Sequence, residues 1–375
     1  MKTRAAVLRE PTSQLPFVES RPLNIEELEL EAPGPGEVLV RMRAAGLCHS
    51  DLSVINGSRP RPTPMALGHE ASAEVIEVGS GVTDLRIGDL VVLVFVPSCG
   101  HCPSCAEGRP ALCEPGAQAN AEGTLLSGAR RIHHGREKIH HHVGVSAFAD
   151  HAVVSRRSCV KIERDIDPVE AALFGCAVLT GVGAVINTAR VHAGSTVAVL
   201  GLGGVGLCSL LGAVASGARE VVAIDLHDSK LEVAKSLGAS FAINARDPDV
   251  VQKVRERTRG GVDFAFEMAG SVHAMEAAYR MTKRGGMTVT ASLPHPKDAW
   301  QLQQVSLVAE ERTVKGSYIG SCVPSRDIPR YISLYQAGKL PVNKLIGERL
   351  PLEEINRGFD RLNSGDSLRD LIVFA

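Results

Sequence analysis

The chain has 375 residues and carries 41 basic against 42 acidic side chains, a formal net charge of -1. Its length exceeds what one hydrophobic core usually supports, so two domains are expected. The balanced charge gives no electrostatic case for nucleic acid or an anionic membrane. With no apolar stretch of membrane-spanning length, these features predict a cytoplasmic protein that acts on small molecules.

The first half of the chain is typical of a β-rich domain. The runs EVLVRMRAAG, ASAEVIEVGSGV and DLVVLVFV are short, rich in β-branched residues and separated by Gly, Pro and Asp. The last segment, SLRDLIVF, ends in an apolar run that is expected to add a strand to the same domain. We therefore assign residues 1–177 and 321–375 to one domain.

Residues 178–320 show a different pattern, in which apolar runs of about five residues alternate with amphipathic helices. Examples are STVAVLGLGGVG followed by LCSLLGAVASGA, and REVVAID followed by SKLEVAKSLGA. This alternation predicts an α/β fold with a parallel, doubly wound sheet, inserted into the β-rich domain.

A glycine-rich turn in this second domain predicts a dinucleotide site. It follows the strand TVAVL, opens a helix, and contains Gly201, Gly203, Gly204, Val205 and Gly206. Glycines allow the tight turn, the approach of backbone to a pyrophosphate and close helix–strand packing. Asp225 follows Gly206 by nineteen residues at the end of the next strand, where a carboxylate accepts bonds from ribose hydroxyls and repels a 2′-phosphate. NAD is therefore favoured over NADP, with Lys230 as a further ribose or phosphate contact.

Four of the nine cysteines lie within fifteen residues, in SCGHCPSCAEGRPALC. Short loops between the thiols of Cys99, Cys102, Cys105 and Cys113 allow four sulfurs to converge, and four thiolates leave no open position on a metal. This pattern predicts a structural zinc. A ferredoxin-like cluster is the alternative, but the spacing to the fourth cysteine and the lack of a second cluster motif argue against it.

Cys48 in GLCHSD, His69 in GHE and Cys176 in FGCAVLTG are dispersed along the chain. Two thiolates and one imidazole form a known catalytic zinc set whose fourth position stays open. Taken singly, each residue also has an ordinary structural explanation, because an isolated cysteine is usually a small buried hydrophobe.

These motifs together resemble the zinc-containing alcohol dehydrogenases of the medium-chain dehydrogenase/reductase superfamily. The similarity rests on GLCHSD, GHE, the four-cysteine lobe, GCAVLTGVGA, GLGGVG and SLRDLIVF, and it covers nearly the whole length. It is greatest to the long, dimeric members that keep the segment from about Ala121 to Val143. The resemblance implies a GroES-like catalytic domain, a Rossmann NAD-binding domain, two Zn²⁺ per chain and a homodimer.

The resemblance also implies roles for individual residues. Cys48, His69 and Cys176 would be the catalytic zinc ligands, with Glu70 able to approach the metal. Asp51 would orient His69, as a ligating imidazole requires. Ser50 would take the substrate proton. The implied cofactor contacts are His49 and Arg369 on the pyrophosphate and Thr180 and Val205 beside the nicotinamide; the implied pocket residues are Phe95, His142, Val143 and Leu293.

Two features depart from the family pattern. Many relatives place a histidine three residues after the relay serine, whereas this chain has Ser53, so the proton is expected to pass to water or to His49. His142 stands where a larger apolar residue is common. The histidines at 133, 134, 140, 141 and 142 suggest a third metal site, but we interpret their segment as a solvated loop near the cleft.

The implied activity is reversible hydride transfer between NAD(H) and a zinc-bound primary alcohol or aldehyde, aromatic or medium-chain. One alternative is a formaldehyde dehydrogenase linked to glutathione or mycothiol, for which Arg59, Arg61 or Arg130 would supply the basic group that an acidic thiol adduct requires. Another is a zinc-stabilised binding protein without catalysis, against which the three-ligand set argues.

Overall fold

The structure is a computed structural model in which residues 1–374 are described. The chain divides into two compact units. The first contains Met1–Cys176, Val323–Ile332 and the chain from Ile346 onward; the second contains Ala177–Cys322 and Ser333–Leu345. The division expected from the sequence placed Ala177, residues 321–322 and residues 333–345 in the first domain, whereas here they belong to the second unit.

Short strands dominate the chain up to Cys176. The strands are β1 (Lys2–Leu8), β2 (Leu23–Leu30), β3 (Glu37–Gly46), β4 (Met65–Ala66), β5 (Ala71–Val78), β6 (Leu90–Leu93), β7 (Ile132–His134), β8 (Glu137–His141), β9 (His151–Ser155) and β10 (Cys159–Ile162). The helices are α1 (Phe17–Ser20), α2 (His49–Ile55), α3 (Pro103–Ala106), α4 (Glu114–Glu122) and α5 (Pro168–Ala172).

Strands and helices alternate from Ala177 to Cys322. The strands are β11 (Thr196–Leu200), β12 (Glu220–Asp225), β13 (Phe241–Asn244), β14 (Val262–Glu267), β15 (Thr282–Thr290) and β16 (Thr313–Gly316). The helices are α6 (Ala177–Gly183), which continues into a π-helical segment (Ala184–Ala189), α7 (Gly204–Ala215), α8 (Asp228–Ser236), α9 (Val250–Arg257), α10 (Val272–Met281) and α11 (Gln304–Ala309). The remaining chain forms α12 (Pro324–Gln336), β17 (Arg349–Leu350), α13 (Ile355–Ser364) and β18 (Leu371–Val373).

Two sheets build the first unit. Strands β1, β2, β7, β8 and β4 close into a barrel, and a second sheet runs in the order β10-β6-β5-β3-β18-β17, with β9 also paired to β3. The C-terminal β18 lies antiparallel to β3, with Leu371 opposite Gly46. The end of the chain thus completes a sheet begun near its start.

A parallel sheet forms the second unit, in the order β13-β12-β11-β14-β15-β16. Numbered within the unit this is 3-2-1-4-5-6, the order of doubly wound dinucleotide-binding folds. Every residue of β11 is buried, because a central strand between helices on both faces has no solvated side. The predicted combination of a β-rich domain and a doubly wound domain is confirmed.

The interpretation of the histidine-rich segment as a solvated loop is wrong. Residues 132–141 form the antiparallel hairpin β7–β8, in which Ile132 lies opposite Ile139 and both side chains are fully buried in the barrel core. His141 is 0% exposed and His142 only 3%. Alternate side chains of a strand point to opposite faces, so two isoleucines are enough to give this polar segment a buried face.

Within residues 1–374, no single helix has the length and apolar character needed to cross a membrane. The helix pair Pro168–Gly175 and Ala177–Ala189 meets that test of length and composition only when its members are taken together.

Candidate metal and cofactor sites

Three separate segments of the first unit bring Cys48, His69 and Cys176 together. Cys48 precedes α2 in extended conformation, and Cys176 follows the short 3-10 helix Leu173–Gly175. His69 follows Gly68, whose φ of +96° and close approach to the backbone nitrogen of Phe148 exclude a side chain there. Local backbone geometry therefore aims three donors at one point.

The donor atoms of these residues lie within 4.8 Å of one another, and all three side chains are buried. Nε2 of His69 is buried and makes no hydrogen bond in the described part of the chain. A hydrogen bond from Cys176 and the charge of Arg369 hold the pKa of the Cys48 thiol well below its usual range. Two sulfurs, one of them readily ionised, and an unpartnered imidazole nitrogen fit a zinc ion with one position left open.

The other nitrogen of His69 is held by Asp51. Its Nδ1 lies 3.0 Å from Oδ1 of Asp51, a residue of α2 that is fully buried. This contact fixes the ring so that Nε2 faces the sulfurs, which is the arrangement that a ligating histidine requires.

Glu70 and Arg369 form a buried ion pair in the first unit. Nε of Arg369 lies 3.0 Å from Oε1 of Glu70, and Nη2 pairs with the second carboxylate oxygen. Burial raises the pKa of Glu70, while the guanidinium opposes that effect. Glu70 does not join the ligand cluster, and the proposed pyrophosphate role of Arg369 remains a prediction.

The predicted pocket residues occupy different surroundings. The Phe95 ring packs edge-on against His69, with centroids 5.1 Å apart. His142 also packs against His69, at 5.6 Å, and its Nδ1 lies 3.2 Å from Oδ1 of Asp51. Val143 is buried at the end of the hairpin, and Leu293 lies in the second unit with half of its surface exposed.

The predicted proton-relay residues lie in the first turns of α2. Ser50 is half-buried and His49 is exposed. Ser53 donates its hydroxyl proton to the carbonyl oxygen of His49 at 2.8 Å. Its hydroxyl hydrogen is therefore engaged within the helix, and the route of the proton beyond Ser50 remains a prediction.

The four-cysteine lobe has the geometry of a closed metal site. The sulfurs of Cys99, Cys102, Cys105 and Cys113 lie within 4.8 Å of one another. The amide of Cys99 donates to the Cys113 sulfur at 3.2 Å. Burial opposes ionisation of Cys99, but amide hydrogen bonds from the segment after it lower its pKa to about 6. Four convergent sulfurs with amide donors fit a structural zinc.

Of the five histidines predicted as a third metal site, four join no such cluster in residues 1–374: His133, His134, His140 and His141. His133 contacts Glu31, and His140 accepts from Arg130. Only His142 lies within a possible ligand group, with Asp51 and His69.

The glycine-rich turn of the second unit lies between β11 and α7. Gly201 has a φ of +89°, and an added Cβ would stand 2.6 Å from the amide nitrogen of Ala269. A Cβ on Gly206 would overlap the carbonyl oxygen of Gly201. By contrast, a Cβ on Gly203 would meet no atom within 4 Å. The first and third glycines serve packing, and the second borders the open space that a pyrophosphate needs.

Asp225 ends β12 beside this turn. Its carboxylate accepts hydrogen bonds from the amide of Leu202 at 2.6 Å and from that of His227 at 2.9 Å. Lys230 is half-buried in α8, Val205 is half-buried in α7, and Thr180 is buried in α6.

Glu267 is a buried site residue that the sequence reasoning missed. It ends β14 and accepts hydrogen bonds from the amides of Ala269 at 2.8 Å and Gly270 at 2.6 Å, so it shapes the loop that packs on Gly201. The available signal is the acid closing the apolar strand VDFAFE before Met268-Ala269-Gly270, which parallels Asp225 at the end of β12.

Family models of known proteins match parts of both units. Residues 34–164 match the family model of the alcohol dehydrogenase GroES-like domain, and residues 204–337 match that of the zinc-binding dehydrogenase. The chain is 39% identical over 377 residues to a protein of Mycobacterium tuberculosis (strain CDC 1551 / Oshkosh) named "Putative alcohol dehydrogenase D", with both chains fully covered.

Solved structures of dehydrogenases are also similar to this chain over its full length. Benzyl alcohol dehydrogenase from Acinetobacter calcoaceticus has a TM-score of 0.93 at 33% identity, with 100% of both chains covered. An alcohol dehydrogenase zinc-binding domain protein from Burkholderia ambifaria also has a TM-score of 0.93, at 34% identity, covering 100% of this chain and 99% of that one. A protein from Sinorhizobium meliloti 1021 described as "a putative zinc-binding dehydrogenase", bound to NADP, has a TM-score of 0.81 at 26% identity, with both chains fully covered.

Proposed function

Since the chain belongs to the zinc-containing alcohol dehydrogenases of the medium-chain dehydrogenase/reductase superfamily, we propose that it interconverts primary alcohols and aldehydes with NAD as its cofactor. The observation that carries the proposal is the convergence of Cys48, His69 and Cys176, with Nε2 of His69 buried and unpartnered among the described residues. A purely structural site has no need of an incomplete ligand set.

In this proposal the three side chains hold a zinc ion, and the four-cysteine lobe holds a second. A zinc ion held by the three side chains would act as a Lewis acid, lowering the pKa of a substrate hydroxyl and polarising a carbonyl. Asp51 keeps the His69 ring in its ligating orientation. Ser50, in the first turn of α2, accepts the proton of the substrate hydroxyl. Water or the exposed His49 receives the proton next.

NAD is proposed as the cofactor because Asp225 presents a carboxylate at the end of β12. That charge would repel a 2′-phosphate and accept the ribose hydroxyls of NAD. The NADP-bound relative shows that the fold also accommodates the phosphorylated cofactor. Initial rates measured with each cofactor at equal concentration test this choice, and NADP as the better substrate would reverse it.

An aromatic primary alcohol is the proposed substrate class. The support is the likeness to a benzyl alcohol dehydrogenase over the full chain, together with the Phe95 ring packed against the candidate ligand His69. Turnover of aromatic alcohols should be compared with that of medium-chain aliphatic alcohols in the same assay.

The direct test is NADH formation from a panel of primary alcohols, with zinc counted in the same preparation. The expected result is turnover of benzyl alcohol with two zinc ions per chain. Formaldehyde turnover that appears only after a thiol such as glutathione is added would instead identify the thiol-linked dehydrogenase. Failure with every alcohol and aldehyde at full zinc occupancy would identify a binding protein.

The assembly proposed is a homodimer in the cytoplasm. β16 ends its sheet and pairs only with β15 among the described strands, so its other edge offers backbone groups to a second copy. Val305 and Val308 on α11, in the same unit, are 72% and 70% exposed. None of the nine cysteines, all within residues 1–374, forms a disulfide, which suits a reducing compartment.

A further inference from the structure

One carboxylate oxygen in the first unit lies between two histidines. Oδ1 of Asp51 is 3.0 Å from Nδ1 of His69 and 3.2 Å from Nδ1 of His142. The two imidazole rings stand nearly perpendicular, at 89°, with centroids 5.6 Å apart. Asp51 is 0% exposed and His142 is 3% exposed. The group is therefore sealed from bulk solvent.

The two contacts of Asp51 are not equivalent. Nδ1 of His69 makes a hydrogen bond to Oδ1 of Asp51, whereas Nδ1 of His142 lies 3.2 Å from the same oxygen without meeting hydrogen-bond criteria. Oδ2 of Asp51 makes no hydrogen bond within residues 1–374. A buried carboxylate is costly unless polar neighbours compensate it, and Nδ1 of His142 is the second polar group beside this oxygen.

His142 is itself held by its backbone. Its amide lies 3.1 Å from Oγ of Ser146 and 3.2 Å from the carbonyl oxygen of Ala66, both of which accept from it. These anchors fix the Cα at the end of the β7–β8 hairpin. The barrel therefore positions the His142 ring, whereas Asp51 belongs to a different element, α2.

We infer that His142 is a positioning residue for the catalytic metal centre, acting by holding the Asp51 carboxylate that in turn orients His69. This inference rests on the proposed function, because it requires a metal at Cys48, His69 and Cys176. His142 is not a ligand in this scheme. Residues that orient a metal ligand in this way affect metal affinity by about 10- to 100-fold when they are replaced.

Three substitutions separate the possible roles of the ring. His142→Leu removes both nitrogens at similar volume. His142→Asn keeps a donor near the position of Nδ1, facing Asp51, while His142→Gln places its polar group near the position of Nε2. His140→Leu is the matched control, because His140 lies on the same hairpin and contacts Arg130 instead.

The experiment measures the rate at which a chelator removes each zinc from the purified protein, and the visible spectrum after Co²⁺ replaces the catalytic ion. We expect the Leu and Gln variants to lose the catalytic metal about tenfold faster than wild type and to show an altered Co²⁺ spectrum. The Asn variant and His140→Leu should match wild type. Release from the four-cysteine lobe should be unchanged throughout.

Several results would overturn the inference. They are wild-type metal retention in His142→Leu, rescue by Gln in place of Asn, or a third zinc that is lost with the His142 side chain. Should the Leu variant fail to fold, the comparison of Asn with Gln still decides. A wild-type protein that binds no metal at this centre would contradict the proposed function itself, and that outcome is read before any variant is made.

Discussion

Gly203 and Gly206 lie in one turn, yet a methyl group meets different surroundings at each. At Gly206 it overlaps the carbonyl oxygen of Gly201, whereas at Gly203 it enters open space, and Gly203 has an ordinary φ of -70°. Gly206→Ala should therefore cost about 1–3 kcal/mol of unfolding free energy through overpacking. Gly203→Ala should fold normally but weaken NAD binding by about tenfold, about 1.4 kcal/mol.

Denaturant unfolding and NAD titration of both variants check this pair. Equal stability losses would show that the turn is merely crowded. Unchanged NAD affinity in Gly203→Ala would mean that the pyrophosphate does not lie against this glycine.

Asp225 is expected to set the cofactor preference. Asp225→Asn removes the charge but retains one oxygen that can accept the amide of Leu202 or His227. The ratio of kcat/KM for NAD to that for NADP should fall by about tenfold, because the repulsion of a 2′-phosphate is lost. The matched control is Asp228→Asn at an exposed position of α8, which should leave the ratio unchanged.

The residues of the two metal sites were predictable to different degrees. Cys99, Cys102, Cys105 and Cys113 are close in sequence, so their short loops alone indicate convergence. Cys48, His69 and Cys176 are separated by 21 and 107 positions, and only the family resemblance relates them. The contact of His142 with Asp51 could not be predicted, because it depends on how a barrel hairpin meets α2.

At the scale of elements, the four-cysteine lobe has almost no apolar core. Its buried cluster consists of the cysteines themselves with Leu126 packed against them. Metal must therefore supply most of the order in this lobe. Cys105→Ser should raise amide hydrogen exchange and proteolysis within residues 99–113 and leave the exchange of β11–β14 unchanged. Protection equal to wild type would show that the loop is ordered without its metal.

The β7–β8 hairpin carries a buried histidine that should make stability depend on pH. His141 is fully buried, and burial lowers its pKa to about 3. Its Nε2 accepts the amide of Arg131 at 3.1 Å, which requires the neutral ring. Between pH 6.5 and about 3 the unfolded chain binds a proton that the folded chain does not, so stability falls as the pH decreases through this range.

His141→Gln tests this dependence, because its side-chain oxygen can replace the acceptor without titrating. The unfolding free energy of wild type should fall more steeply than that of the variant, by at most about 1.4 kcal/mol per pH unit. Parallel curves below pH 6.5 would show that His141 is protonated in the folded protein.

Elements with uniform apolar runs were the most predictable. TVAVL and VVAI are buried on both faces of a parallel sheet, and their composition reflects it. The β7–β8 hairpin escaped prediction since only Ile132 and Ile139 mark its inner face among charged and histidine residues. Pattern alone understates a strand whose outer face is highly polar.

For the whole molecule, the sequence predicted only in part which segments belong to which unit. The apolar SLRDLIVF predicts the terminal strand that the first unit contains as β18. Residues 333–345 carry no comparable signal, and their place in the second unit depends on long-range packing. The proposed dimer interface could not be predicted from sequence patterns either, because it depends on which side chains the folded chain exposes.

The proposed dimer can be tested at α11. Val305→Glu places a charge on a side chain that is 72% exposed in the unit that contains β16, and it should convert the dimer to monomer in analytical ultracentrifugation. Ile87→Glu is the control, because Ile87 has the same exposure in the first unit. A monomeric wild type, or equal effects of both changes, would contradict this assembly.

Cys48, His69 and Cys176 are proposed to hold the zinc at which an alcohol is oxidised by NAD. The most direct measurement is the rate of NADH formation from benzyl alcohol by zinc-replete wild type and by His69→Ala, with zinc counted in each. Wild type should turn over benzyl alcohol and hold two zinc ions, whereas the variant should retain one zinc and react at least about 10²-fold more slowly. Undiminished turnover after loss of that zinc would contradict this proposal.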